Sequence, residues 1–207
     1  MLIRTSRIGI VTLAVAITGG TAHAGLLADN DAGALPGFTG NTNFAGGFLT
    51  YTIDADVDYA VFAPGTFDAA FPGLDPSGGT EYVYAYQIAN NDTDISKLTV
   101  GLDGDEPLGT IGYIADAGLT DPSDSLFVGI PNPTSAAWDF TVPNPLTIGN
   151  SSAVLIFTSA AAPEYDSATV EAAFPDSQSL PSPLPEPATL GLMAMGLGLM
   201  GVRKHSR

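Results

Sequence analysis

The sequence predicts an all-β protein: a single antiparallel β-sandwich, with a jelly roll as the alternative topology, set between an apolar N-terminal leader and a C-terminal transmembrane helix. Three observations lead there. Apolar and polar residues alternate with period two over several short stretches, the spacing of strands with one buried and one wet face. Gly, Pro, Asn or Asp separates most of these stretches. The central chain shows no amphipathic 3.6-residue spacing and no glycine-rich nucleotide-binding pattern.

Taken in order, residues 1–24 read as a signal peptide. Arg4 and Arg7 supply the positive start, residues 8–17 the apolar core, and Ala22 and Ala24 flank His23 in a small-x-small cleavage site. Residues 25–48, rich in Gly, Asn, Ala and Asp, read as an irregular lead-in with at most a short edge strand. Tyr51, Ile53, Ala55, Val57, Tyr59 and Val61 then alternate with Thr52, Asp54, Asp56, Asp58 and Ala60, the clearest strand in the chain. Pro64 and Gly65 end it, and a loop runs to Thr80. In the next strand, 81–89, Tyr82, Tyr84, Tyr86 and Ile88 line one face and Val83 and Ala85 the other; aromatics at period two favour strands. Further strands are expected at 98–102, 108–114, 126–130, 137–142, 154–159 and 168–174. The sandwich domain is thus placed at 25–174.

After it, residues 175–187 carry five prolines among serines and read as an extended stalk that joins no sheet. Residues 188–202 are uncharged and apolar. As a helix they rise about 22 Å, short of a ~30 Å hydrocarbon core, so flanking residues and local thinning must make up the difference. Residues 203–207 are a basic cytoplasmic tail containing Arg203, Lys204 and Arg207.

Charge narrows the function. Of 22 acidic residues, 21 lie in 25–184, against the single cation Lys97, a body charge of −20. Such a surface repels nucleic acid, whose recognition needs clustered Lys and Arg, and attracts divalent cations and basic partners. The body has no His, and the chain no Cys. Ser-His-Asp triads, Cys-His dyads, His-ligated metals and disulfides are therefore unavailable to it. The chemistry left is that of paired carboxylates, as in a carboxylate-only glycoside hydrolase, but no pair is marked out. The reading is non-enzymatic, with no cofactor required and calcium as the one ion the acids suit. Hard cations take carboxylate and carbonyl oxygens. Asp103, Asp105 and Glu106, in a turn between strands, have the better shape for one. Asp54, Asp56 and Asp58 share a strand face at about 6.5–7 Å spacing, too far apart for one ion without a bend. Trp138 and the tyrosines suit either core packing or stacking on sugars.

Pro185, Glu186 and Pro187, the apolar run behind them and the basic stop of Arg203, Lys204 and Arg207 together resemble a PEP-CTERM sorting signal. The resemblance implies export, insertion in the inner membrane through the C-terminal helix, and processing by the membrane enzyme exosortase. It further implies a final place at the cell surface or in the extracellular matrix, with a structural or adhesive role in exopolysaccharide and biofilm. A polysaccharide- or calcium-binding β-sandwich module is the alternative. Residues 82–91, 138–140 and 146–159 are loosely similar to exported β-domains that carry this tail, and bring no catalytic motif with them.

Overall fold

The computed structural model describes residues 26–103, 107–129 and 131–183. The expected signal peptide with Ala22 and Ala24, the residues 104–106, Pro185–Pro187, the apolar run and the basic stop all lie outside the described residues.

Two antiparallel five-stranded sheets make the body. The first has the order β1 (Ala34–Phe48), β2 (Tyr51–Phe62), β3 (Tyr82–Asn90), β8 (Val154–Ser159), β5 (Leu108–Ile114). The second has the order β10 (Pro175–Pro183), β9 (Pro163–Glu171), β4 (Lys97–Gly101), β7 (Ser135–Asp139), β6 (Asp124–Val128). Two short 3-10 turns, Ala28–Asn30 and Phe67–Ala69, are the helical elements among the described residues, and none of those residues forms a helix able to cross a membrane.

One hydrophobic cluster draws side chains from both sheets. Ile53, Val57, Tyr84, Tyr86 and Phe157 come from the first, and Leu98, Val100, Trp138, Val170 and Leu180 from the second. Period two explains this choice, since alternate residues of each strand face the other sheet. A second cluster covers the outer face of the first sheet. Phe67 and Phe71, from the loop after β2, pack with Phe62, Val83, Ala85 and Ile156. Phe62 meets Phe67 edge-on at 5.0 Å between centroids. Hence β3 and β8 are buried on both faces: Val83 and Ala85, the second face of the tyrosine strand, are fully buried as well.

The expected strands at 126–130, 137–142 and 168–174 begin two to five residues earlier, as Asp124–Val128, Ser135–Asp139 and Pro163–Glu171, and two further stretches differ in kind from the sequence-based expectation. Residues 34–48 form the long strand β1 rather than an irregular lead-in. Its inward face is small or aromatic, with Phe44 fully buried, while Asn41 and Asn43 point outward beside the acids of β2. The polar, glycine-rich composition follows from one wet face and from an irregularity between Ala34 and Thr39, where Gly37 takes φ 85°.

The second correction concerns the stalk. Pro175–Pro183 is not an extended linker but β10, paired in full register with β9, from Pro175 opposite Glu171 to Pro183 opposite Pro163. Composition misled here because proline is compatible with an edge strand. Pro175, Pro181 and Pro183 share one parity, so their missing N–H groups fall on one side of the strand. That side is the free edge, for Pro183 faces Pro163 and no N–H is available at that pair.

The register also places the two ends of the body together. Ala34 is opposite Phe62, Phe62 opposite Val83, and Tyr82 opposite Ser159, which four residues later leads into Pro163 opposite Pro183. The chain enters and leaves the two-sheet body at the same end.

Candidate functional site: the junction between body and tail

The last four residues of β10 are held tightly. Leu180 and Ser182 are essentially inaccessible, and Pro181 and Pro183 are buried beside them. The Tyr86 hydroxyl, deep in the core, donates to the carbonyl of Pro181. Burial, with the neighbouring Tyr84 adding to it, holds the Tyr86 phenol well above its usual range, so it is protonated and able to donate at neutral pH. One feature works against this anchorage: the buried Ser182 hydroxyl has no hydrogen-bond partner. Only Leu184 separates Pro183 from Pro185.

Nearby, Tyr165 stacks on Phe38 at 5.5 Å and donates to the carbonyl of Gly37 at 3.0 Å. Its hydroxyl lies 3.1 Å from that of Tyr59. Partial burial, then this hydrogen bond, pushes the Tyr59 phenol up to about 12. These contacts tie β1 to β9 beside the exit strand.

The acids predicted to share a face do so, but each is engaged by an amide. Asn41 donates to Asp58 at 2.8 Å, Asn43 to Asp54 at 2.9 Å and to Asp56 at 3.1 Å, and Asn91 to Asp56 at 2.9 Å. Thr52 donates to Asp92 at the same edge. The amides offset the repulsion between successive carboxylates along β2. No group of three His, Cys, Asp or Glu able to hold a metal occurs among the described residues. Of the turn Asp103, Asp105 and Glu106, only Asp103 is described; Asp105 and Glu106 lie outside the described residues.

Lys97 stands opposite Asp139 in the β4–β7 ladder and pairs with it at 3.1 Å. That pairing occupies the body's one amine. Asp121 has a buried, unpartnered carboxylate oxygen, and burial raises its carboxyl above the ordinary range. The titratable group beside it is the Tyr113 phenol, raised by its own burial and then by Asp121.

Trp138 settles into the core. It is fully buried, with Tyr86 and Phe157 at 5.9 and 6.2 Å, and its indole N–H donates to the Gly112 carbonyl at 2.8 Å. Tyr51 and Tyr165 are the tyrosines with substantial exposure among the described residues, and Tyr165 is already stacked. A cleft of about 300 Å³ lies beside β5, with Leu74, Pro76, Ile114 and Ile156 among the residues that line it.

Sequence reasoning missed Tyr86, Leu180 and Ser182 as parts of the junction. The available signal was Leu180, a lone large apolar residue in a Pro/Ser stretch whose prolines 175, 181 and 183 share one parity.

An all-β body whose last strand runs directly into a proline-marked apolar and basic tail has the build of an exported protein addressed through its C-terminus. A family model described as the PEP-CTERM protein-sorting motif matches residues 183–207. The chain therefore carries a PEP-CTERM sorting signal; it is exported and sorted by exosortase to the cell surface or extracellular matrix. No curated protein and no solved structure matches the chain.

Proposed function

We propose that this is a non-catalytic structural or adhesive protein of the exopolysaccharide matrix, a β-sandwich presented outside the cell by its sorting tail. The observation that carries the reading is the junction itself. A body with a single core shared by two sheets passes directly into the sorting signal, so presenting that body is what the tail does. Three further features support it. The body lacks His and Cys, its one Lys is paired with Asp139, and its clearest acid row is capped by Asn amides. A polyanionic surface keeps such a protein soluble and extended among other polymers. Its exopolysaccharide contacts are polar, because Trp138 is in the core and leaves few aromatic faces for sugar stacking.

The test uses exopolysaccharide extracted from the cells that make the protein. Co-sedimentation of the secreted protein with it, without new reducing ends on prolonged incubation, is expected. Steady release of reducing ends would overturn the non-catalytic reading in favour of a carboxylate-only glycoside hydrolase. Failure to sediment, together with unchanged matrix stiffness in cells lacking the protein, would overturn the matrix role.

A further inference from the structure

An enzyme that acts on a peptide holds it extended over several residues, in the manner of an added strand. With β10 docked, the sequence leaves only Leu184 between the last strand residue, Pro183, and Pro185. Leu184 to Glu186 spans at most about 10 Å when fully extended. The residues an enzyme would next need on the body side, Leu180–Pro183, are buried, paired with β9 and held by Tyr86. Two bulky objects, the body and a membrane enzyme, thus compete for the same few residues.

β10 nevertheless has features that let it open locally. It lies at the edge of its sheet and pairs with β9 alone. Its sequence of Pro, Asp, Ser and Gln has low strand propensity. It carries the orphaned Ser182 hydroxyl, a buried polar group that opposes docking. Local opening at such an edge requires far less than global unfolding. Release from Leu180 onward adds four residues to the four that separate Pro183 from Ala188 in the sequence.

We propose that the C-terminal half of β10, Leu180–Pro183, is a strap that must leave β9 and the core before the tail can be processed, so that the folded body sets the rate of its own sorting. This rests on the exosortase-dependent sorting established above. The docked strap delays processing until the strand opens, and the strap closes again on the body once the enzyme releases it.

The test exploits the absence of cysteine in the chain. Glu164 and Ser182 are directly opposite in the β9–β10 register, so Glu164→Cys with Ser182→Cys pins the strap by one disulfide without competing thiols. The full-length variant, with an epitope after Arg207, is incubated with membranes bearing exosortase, and epitope loss is followed over time. The oxidised form is expected to lose the epitope at least tenfold more slowly than the same protein after reduction, which also controls for folding. A second full-length variant, with six Gly/Ser residues inserted between Pro183 and Leu184 of the otherwise unaltered chain, is expected to be processed several-fold faster than the parent. Equal rates for oxidised and reduced forms, or no gain from the insertion, overturn the strap. A parent chain that never loses its epitope overturns the sorting assignment itself, and the strap with it.

Discussion

Replacing Leu180 by Ala separates a packed strand from a stalk more sharply than any other single change. In a solvated stalk the substitution would alter stability by less than about 0.5 kcal/mol. In β10 the side chain is fully buried in the cluster shared by both sheets. Three carbons leave the core, worth roughly 2.4 kcal/mol at about 0.8 kcal/mol per buried methylene. A cavity term adds to this, reduced because an edge strand can move inward, so the expected loss is about 3 kcal/mol, in the lower half of the range for Leu→Ala. For a body of this size that lowers Tm by roughly 6–12 °C. Urea unfolding of residues 25–184, followed by Trp138 fluorescence and by circular dichroism, reads the change. Gln178→Ala, on the exposed stretch of the same strand, serves as the control and is expected to be nearly silent. A Leu180→Ala loss below about 0.5 kcal/mol would refute the docking of β10 and return residues 175–187 to a stalk.

Other expectations concern ions, protons and close packing. Calcium and magnesium at equal ionic strength are expected to raise the melting temperature equally, by screening the −20 charge, because the acid row of β2 is matched with Asn amides and no group of three acids able to hold an ion occurs among the described residues; a rise of several degrees specific to calcium, lost in Asp103→Asn with Asp105→Asn, would place a site in that turn. The Asp121 carboxyl, raised by burial, stabilises the folded state fully below its unfolded value, near pH 4, and that contribution is lost as pH rises through the folded value. Asp121→Asn is therefore expected to raise Tm at pH 7 and to give no gain near pH 3.5; an equal gain at both would disprove the linkage. Ser182→Ala removes the orphaned hydroxyl and is expected to stabilise the body by about 0.5–1 kcal/mol in urea, and a loss of stability would mean that the hydroxyl has a partner. Gly101→Ala sets a Cβ 2.7 Å from the Ser167 carbonyl of the neighbouring strand β9. That clash with backbone is expected to cost about 1–3 kcal/mol, and a neutral outcome would contradict the β4–β9 packing.

Much of this protein is legible in residue order. Tyr51–Phe62 and Tyr82–Asn90 follow from alternation, and Leu108–Ile114 and Val154–Ser159 fall where apolar β-branched and aromatic residues cluster between turns. The address is likewise local in origin. A tripeptide, an apolar run and a basic stop are contiguous, so no folding is needed to read them. By contrast, β1 and β10 are written in Gly, Asn, Pro and Ser, residues whose strand conformation is imposed by a partner rather than by their own preference.

What the sequence determined alone, then, was the all-β class, the acidity, the lack of His and Cys chemistry in the body, and the C-terminal address. The tertiary structure decided how the two ends of the body meet, that Trp138 is core and Lys97 is paired, and that Leu180 to Pro183 belong to the fold. The physical reason is one of range. Alternation and motifs are properties of neighbours along the chain. An edge strand's pairing depends on β9, and its anchorage on the Tyr86 hydroxyl, which lies 95 residues earlier than the Pro181 carbonyl it holds.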